Sequence, residues 1–121
     1  MDDTRCIYMV GMNIPEATPA ELAAFNDFYS GTHVPEVVGN NAGFLNGTRY
    51  ELLDPSLAGP RFLAVYEVAD DQAAKQHLAR AATPGGSAYS PGPELWQKHN
   101  TLWRLMYRRI GETYESPRNP T

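Results

Sequence analysis

The sequence predicts a single α+β domain in which four strands and two helices follow one another in the order β-α-β-β-α-β. Short apolar runs with strand character alternate with two segments whose apolar residues recur at helical spacing, and clusters of Gly and Pro separate them. The chain has 121 residues, 42% of them hydrophobic and 20% charged, which suits one packed core. We therefore assign residues 1–121 to one domain, with its core at 5–110 and a tail at 111–121.

The first strand and the first helix lie near the amino terminus. Residues 5–12 (RCIYMVGM) are apolar on both alternating faces, which predicts a strand that is covered on both sides. Thr18, Pro19 and Glu21 match a capping box with Thr18 as the N-cap, so we expect a helix to begin at Pro19. The pair 30–31 (Ser-Gly) interrupts the helical spacing of apolar residues, which predicts a bend or a restart there.

Two more strands and the second helix follow. Residues 43–53 (GFLNGTRYELL) alternate imperfectly and predict a strand, and 62–68 (FLAVYEV) is the strongest strand signal in the chain. Asp70 or Asp71 is placed to cap a second helix that runs through Ala82.

The remaining segments are a long loop, a last strand and a tail. Residues 83–93 contain three Pro and three Gly, which predicts a loop long enough to be a lid or the rim of a pocket. Residues 93–96 are expected to start a short helical turn, and 102–110 (LWRLMYRRI) is the last strand candidate. Residues 112–121 are polar and are expected to trail along the surface.

This order of elements is the split βαβ, or ferredoxin-like, arrangement: a four-stranded antiparallel sheet with two helices on one face. The opposite face of the sheet needs a cover. Because several strands are apolar on both faces, we expect two such sheets to pack together as a dimeric α+β barrel, so the chain's own copy is a predicted partner.

Charge and composition exclude several classes of partner. The formal net charge is −4 and the longest basic run is a pair of arginines at 108–109, so no nucleic-acid partner is expected. No apolar run approaches the roughly 18 residues that span a bilayer, and the amino terminus lacks the basic region of a signal peptide, so we expect no membrane partner and a cytoplasmic location.

Cys6 has no second thiol to pair with and is expected to be a buried core residue.

The sequence contains none of the motifs that define common nucleotide, zinc and serine-hydrolase sites: no Walker loop, HExxH, GxSxG or paired CxxC. His33 and Glu36 have a helical metal-ligand spacing of three residues. One histidine and one glutamate do not define a metal site, so no metal is predicted.

Two segments resemble a known family. Residues 28–36 (FYSGTHVPE) contain aromatic residues followed by His33-x-Pro35, and residues 43–50 (GFLNGTRY) lead from a Gly-Phe step into a strand that ends in Tyr. This pattern resembles the EthD-like branch of the dimeric α+β barrel superfamily. The resemblance implies a small enzyme without a cofactor that acts on a hydrophobic, often aromatic or lactone-like molecule, with His33 as its general acid or base.

His33 is the leading catalytic candidate on chemical grounds as well. Histidine is the side chain best suited to proton transfer near neutral pH, and Glu36, one helical turn further on, is placed to orient it or to couple to its charge. Tyr50 is the third catalytic candidate, because a tyrosine hydroxyl can hold a substrate oxygen and share a proton with a histidine. The alternative is a structural His33 that caps the bent helix or hydrogen-bonds to the backbone.

We expect aromatic side chains to form the wall of a pocket around His33. Tyr8, Tyr50 and Tyr66 lie in three different strands, and strand register decides whether they converge there or are ordinary strand residues. Trp96 and His99 are three residues apart and either close the pocket mouth or anchor the loop by burial. The predicted substrate-binding residues are Tyr8, Phe28, Tyr29, Tyr66, Trp96, His99 and Trp103. His77 lies on the Ala-rich side of the second helix and is expected to be packed or partly exposed.

The leading functional hypothesis is an enzyme that works by acid/base chemistry on a small aromatic, polyketide-like or lactone substrate, as an isomerase, dehydratase or cyclase. A cofactor-free monooxygenase of polycyclic phenols is the alternative enzyme. A dimer that binds a hydrophobic metabolite without converting it is the alternative outside enzymes. A haem-binding variant would need a proximal histidine facing a wide pocket, and a coloured protein would reveal it.

Overall fold

The order of strands and helices along the chain matches the predicted one. The structure is a computed structural model that describes residues 5–83 and 89–118. The strands are β1 (Cys6–Asn13), β2 (Phe44–Glu51), β3 (Phe62–Val68) and β4 (Asn100–Arg108). The helices are α1 (Pro19–Phe28), α2 (Val34–Asn40), α3 (Asp71–Ala82) and the short α4 (Glu94–Gln97), and a π-helical turn, Tyr29–His33, joins α1 to α2.

The four strands form one antiparallel sheet in the order β2-β3-β1-β4. The two strands of each β-α-β unit are therefore separated by one strand of the other unit. This is the ferredoxin-like, split βαβ topology, so the predicted α+β fold class is confirmed.

One face of the sheet packs against the helices and forms the core. Register places Tyr8 opposite Tyr66 and Cys6 opposite Val68, so the side chains of the two central strands point to this face together. The buried core residues on these strands are Cys6, Tyr8, Val10, Met12, Phe62, Ala64, Tyr66 and Val68. The predicted burial of Cys6 is confirmed, since its thiol lies in this core.

The opposite face of the sheet is also apolar but more exposed. Ile7 on β1 is 37% exposed, and Leu105 and Tyr107 on β4 are 38% and 51% exposed. Met9 on β1 and Leu63 and Val65 on β3 lie on the same face and are partly buried. The packing of a second sheet on this face stays a prediction.

Capping explains where the helices begin. Thr18 Oγ1 accepts a hydrogen bond from the Glu21 backbone N–H at 3.2 Å, and Glu21 Oε1 accepts one from the Thr18 N–H at 2.9 Å, so the predicted capping box is present. Asp70, rather than Asp71, caps α3, because its carboxylate accepts from the Ala73 N–H at 2.9 Å.

The predicted interruption of the first helix takes the form of the π-helical turn. A π-helical turn inserts one extra residue into the helical path and is often found at functional sites. The turn spans Tyr29–His33 and is followed directly by α2, in which Pro35 occupies the first turn.

Gly43 begins β2 in a conformation that favours glycine. Its φ is +87°, and a Cβ at this position would lie 2.3 Å from the Cβ of Ala73 on α3. Gly43 therefore lets the start of β2 approach α3 closely.

Some strand boundaries in the structure differ from the predicted ones. β2 ends at Glu51, before the predicted end at 53, and β4 spans Asn100–Arg108 rather than 102–110. Part of the predicted loop, residues 84–88, lies outside the described residues, and so do 119–121 at the end of the predicted tail. Residues 109–118 of the tail are exposed and form neither helix nor strand. In the described part of the chain, no helix is long and apolar enough to cross a membrane.

Candidate active site

A cavity of about 300 Å³ lies between the core face of the sheet and the helices. Its wall is rich in aromatic side chains: Tyr8, Tyr29, Tyr66, Tyr89 and Trp96. Three histidines, His33, His77 and His99, and one arginine, Arg104, also line it. An apolar cavity with a few converging polar groups is the usual form of a small-molecule site.

His33 reaches the cavity from the end of the π-helical turn. Its ring lies 4.5 Å from the Trp96 ring and 5.1 Å from the Tyr89 ring, measured between centroids. Its Nδ1 is buried without a hydrogen-bond partner among the described residues, so Nε2 is the nitrogen that the cavity can reach. The placement of His33 in an aromatic pocket is as predicted, and its role stays a prediction.

Burial determines the charge of His33. It lowers the pKa of His33 to about 4, because the imidazolium form loses its hydration, and the nearby Glu36 charge offsets this only in part. His33 is therefore neutral at pH 7 and can accept a proton.

Trp96, on α4, packs against several rings in and around the site. Its ring centroid lies 5.0 Å from that of Tyr29, 5.3 Å from that of Phe28 and 4.3 Å from that of His99. Phe28 packs on Trp96 from α1 without lining the cavity, so it supports the wall rather than forming it.

His99 has a tautomer that the backbone defines. Its Nδ1 is hydrogen-bonded to the carbonyl oxygen of Trp96. A carbonyl oxygen only accepts, so Nδ1 carries the proton and, in the neutral ring, Nε2 carries the lone pair. The backbone N–H of His99 donates to the same oxygen at 3.2 Å, which holds the ring close to α4.

Tyr8, Tyr29 and Tyr66 keep their protons at neutral pH. Burial raises the pKa of Tyr29 to about 12, and it raises the pKa values of Tyr8 and Tyr66 as well. Tyr29 and Tyr66 are almost fully buried, so most of each ring belongs to the core. These hydroxyls can donate hydrogen bonds at neutral pH but do not supply a base.

Glu36 lies elsewhere than predicted. Its carboxylate accepts hydrogen bonds from the backbone N–H and the hydroxyl of Ser90, which lower its pKa. Glu36 does not line the cavity, and no hydrogen bond joins it to His33 in the described structure. The predicted orienting role is corrected: Glu36 connects the segment that carries Tyr89 to α2, because both hydrogen-bond donors of Ser90 donate to this carboxylate.

Tyr50 and Trp103 lie on the other face of the sheet, so the prediction that they join His33 is wrong. Tyr50 pairs with Leu63 and is 54% exposed. Trp103 pairs with Gly11, where a Cβ would come within 2.8 Å of the indole. The physical reason is strand alternation: the neighbours of these residues, Arg49 and Arg104, face the helices instead.

Sequence reasoning missed several residues of the site, among them Arg104, His77 and Tyr89. Arg104 is the one Arg, Lys, Asp or Glu among the described residues of the cavity wall. His77 was expected to be packed and is 5% exposed, but it also lines the cavity, and its Nδ1 lies 3.1 Å from Asn41 Oδ1. The Tyr89 hydroxyl accepts from Asn41 Nδ2 at 3.1 Å. The alternation of side chains along β4 was the sequence signal for the face on which Arg104 lies. The register of β4 against β1 shifts opposite Gly11 and Met12, so this alternation alone does not show which residues of β4 face the helices.

No cluster of three or more metal-ligating His, Cys, Asp or Glu side chains occurs within residues 5–83 and 89–118. The three histidines of the cavity also use their Nδ1 atoms differently. His77 and His99 have hydrogen-bond partners there, whereas His33 does not.

Comparison with known proteins shows the fold. No protein-family model and no curated protein matches the chain. Among solved structures, a protein of Shewanella loihica proposed to be a monooxygenase matches with a TM-score of 0.52 and 13% identity, covering 93% of this chain and 100% of that one. A DABB family protein of Mesorhizobium loti with a ferredoxin-like fold matches with a TM-score of 0.51 and 13% identity, covering 91% and 99%. The chain is therefore similar in fold, along almost its whole length, to ferredoxin-like proteins of this kind.

Proposed function

We propose that the chain is an enzyme that moves protons on a small hydrophobic ring substrate without a bound cofactor, and that it belongs to the EthD-like branch of the dimeric α+β barrel superfamily. The observation that carries the proposal is His33: a neutral imidazole in an aromatic cavity, with Nε2 free to accept a proton. Proton removal by a base is one way in which isomerisation, dehydration and cyclisation of ring compounds begin.

The cavity supports this chemistry in two further ways. Its volume of about 300 Å³ suits a substrate of one or two rings, which the aromatic walls bind by stacking. When His33 removes a proton from a carbon beside a carbonyl, negative charge develops on the carbonyl oxygen. Arg104 is the cation in the cavity wall that offsets this negative charge. No carboxylate lines the described wall, so none there neutralises the arginine.

Hydrogen exchange on a simple ring ketone tests the proposal. We expect the protein to speed the exchange of the α-hydrogens of β-tetralone in D₂O, followed by proton NMR. His33→Ala should lower this rate by about 10²- to 10⁴-fold, the usual contribution of a general acid or base. Tyr50→Phe is the matched control: it removes a hydroxyl from the opposite face of the sheet and should leave the rate unchanged.

Equal exchange rates for wild type and His33→Ala would contradict the proposal. If both proteins bind the ketone, seen as quenching of tryptophan fluorescence, but neither exchanges its hydrogens, the chain is a binding protein for hydrophobic metabolites. If Tyr50→Phe lowers the rate as much as His33→Ala, the placement of the site on the helix side of the sheet is wrong.

A cofactor-free monooxygenase is the second candidate, because one protein of similar fold is proposed to be a monooxygenase. In that case His33 removes the proton of a polycyclic phenol, and the phenolate then reacts with oxygen. Oxygen uptake by the pure protein with 1-naphthol, measured with an electrode, distinguishes the two activities.

A further inference from the structure

We propose that His99 is a second proton-transfer residue, which delivers a proton to the substrate after His33 has removed one. The inference rests on the proposed function of His33 and specifies it: the pair makes the enzyme an isomerase of unsaturated ring ketones or lactones. Two observations support the inference. The imidazole rings of His33 and His99 both pack on the indole of Trp96. Nδ1 of His99 has a hydrogen-bond partner, whereas Nδ1 of His33 has none among the described residues.

The position of His99 meets the first requirement. His33 comes from the π-helical turn and His99 from the junction of α4 and β4, so they reach the same cavity from distant parts of the chain. Their ring centroids lie 4.5 Å and 4.3 Å from that of Trp96. A substrate ring against Trp96 is therefore within reach of both.

The hydrogen bond of His99 meets the second requirement, a defined direction of proton transfer. The Trp96 carbonyl oxygen accepts from Nδ1 whether the ring is neutral or protonated. Protonation and deprotonation consequently take place at Nε2, without rotation of the ring. His33 has no such partner at Nδ1 within the described chain, so its buried surroundings favour the neutral form, which is the form a base needs.

The two roles complete one reaction with no further reactant. Neutral His33 takes a proton from the carbon between a ring carbonyl and a ring double bond, and the electrons of the C–H bond form a dienolate. Protonated His99 then gives its Nε2 proton to the far carbon of the original double bond. The double bond thereby moves into conjugation with the carbonyl. One C–H bond breaks and another forms, and exchange with water returns both histidines to their starting states.

Two probes separate this inference from the proposed function. Exchange of the α-hydrogens of β-tetralone needs removal and return of a proton at one carbon, which His33 performs alone. Conversion of a β,γ-unsaturated cyclohexenone to its conjugated isomer, followed by its ultraviolet absorbance, needs delivery at a second carbon as well.

His99→Asn is the decisive variant, because its side-chain N–H can still donate to the Trp96 carbonyl while the proton-carrying Nε2 is lost. We expect it to lower the isomerisation rate by about 10²- to 10⁴-fold and the rate of tetralone exchange by a far smaller factor, because exchange needs no proton delivered at a second carbon. His33→Ala should lose both activities. Denaturation with urea checks that the Asn variant is as stable as the wild type.

Three results would overturn the inference. One is an isomerisation rate in His99→Asn equal to that of the wild type. Another is a wild type that exchanges tetralone but does not isomerise the enone. The third needs no substrate: long-range proton–nitrogen NMR spectra that show neutral His99 with its proton on Nε2. A wild type that exchanges no faster than His33→Ala contradicts the proposed function itself.

Discussion

A single histidine shows how the surroundings of a side chain select its chemistry. His33 has a carboxylate one helical turn away, and a carboxylate alone would raise its pKa. Burial among aromatic rings has the larger effect, so the pKa falls to about 4. Glu36 has less influence because its oxygens accept hydrogen bonds from Ser90 instead of one from the imidazole. The outcome is a base that stays neutral across the physiological range.

The same shift predicts how stability depends on pH. The folded-state pKa of His33, about 4, lies below its ordinary value of 6.5. Between these values the unfolded chain binds more protons than the folded chain, so the free energy of unfolding falls as the pH is lowered through this window. We expect His33→Gln to have a flatter dependence there than the wild type, measured by urea denaturation at several pH values. An unchanged slope in the variant would show that His33 is not its source.

At the level of residues, chemistry was easier to predict than position. His33, Trp96 and His99 were predicted for the cavity because their residue types suit it, and they lie there. Tyr50 and Trp103 were misplaced because a strand residue's face depends on register. The pairing of β2 with β3 is irregular between Phe44 and Asn46, and the pairing of β4 with β1 is irregular opposite Gly11 and Met12. Neither irregularity has a signature in the sequence.

At the level of elements, local signals were sufficient for most of the fold. The capping box of α1 and the Asp70 cap of α3 are short-range features, so the sequence alone predicts where both helices begin. The Ser-Gly interruption predicted a bend but not a π-helical turn, because the turn depends on contacts made elsewhere. One of these is Arg49 on β2, whose guanidinium donates to Ser30 Oγ and lies 4.1 Å from the Tyr29 ring centroid.

The junction between the long loop and α4 predicts the effect of one added methyl group. Gly92 packs under Trp96, and a Cβ there would lie 2.6 Å from the indole and 2.7 Å from the Phe28 ring. Gly92→Ala should displace Trp96, destabilise the protein by about 1–3 kcal/mol and slow the exchange of β-tetralone. Gly39→Ala is the control, because a Cβ on this residue of α2 meets no atom within 4 Å. It should be neutral or slightly stabilising.

Urea denaturation measures the stability of both variants, and tryptophan fluorescence reports on the surroundings of Trp96. Equal loss of stability in the two would mean that general backbone effects, rather than crowding against Trp96, explain the result. Normal exchange in a destabilised Gly92→Ala would show that the position of Trp96 does not matter to the site.

At the scale of the whole molecule, the sheet separates two surfaces with different properties. The helix side contains the cavity, which His33, His99 and Arg104 line. The other side is a broad apolar surface that includes Ile7 and Leu105. A large apolar patch on a small domain commonly marks an interface with another chain, which is consistent with the proposed homodimer.

Leu105 tests whether this face binds a second copy. It is 38% exposed and lies on β4, an edge strand, opposite Met9, with its side chain on the apolar face. We expect the wild type to be a dimer by light scattering after size-exclusion chromatography. Leu105→Lys should shift it toward the monomer, because a lysine there would bury its charge against the partner's apolar face. Leu53→Lys is the matched control: Leu53 is 97% exposed on the loop after β2, so the same substitution should leave the dimer intact. A monomeric wild type, or equal dissociation in both variants, would contradict an interface on this face.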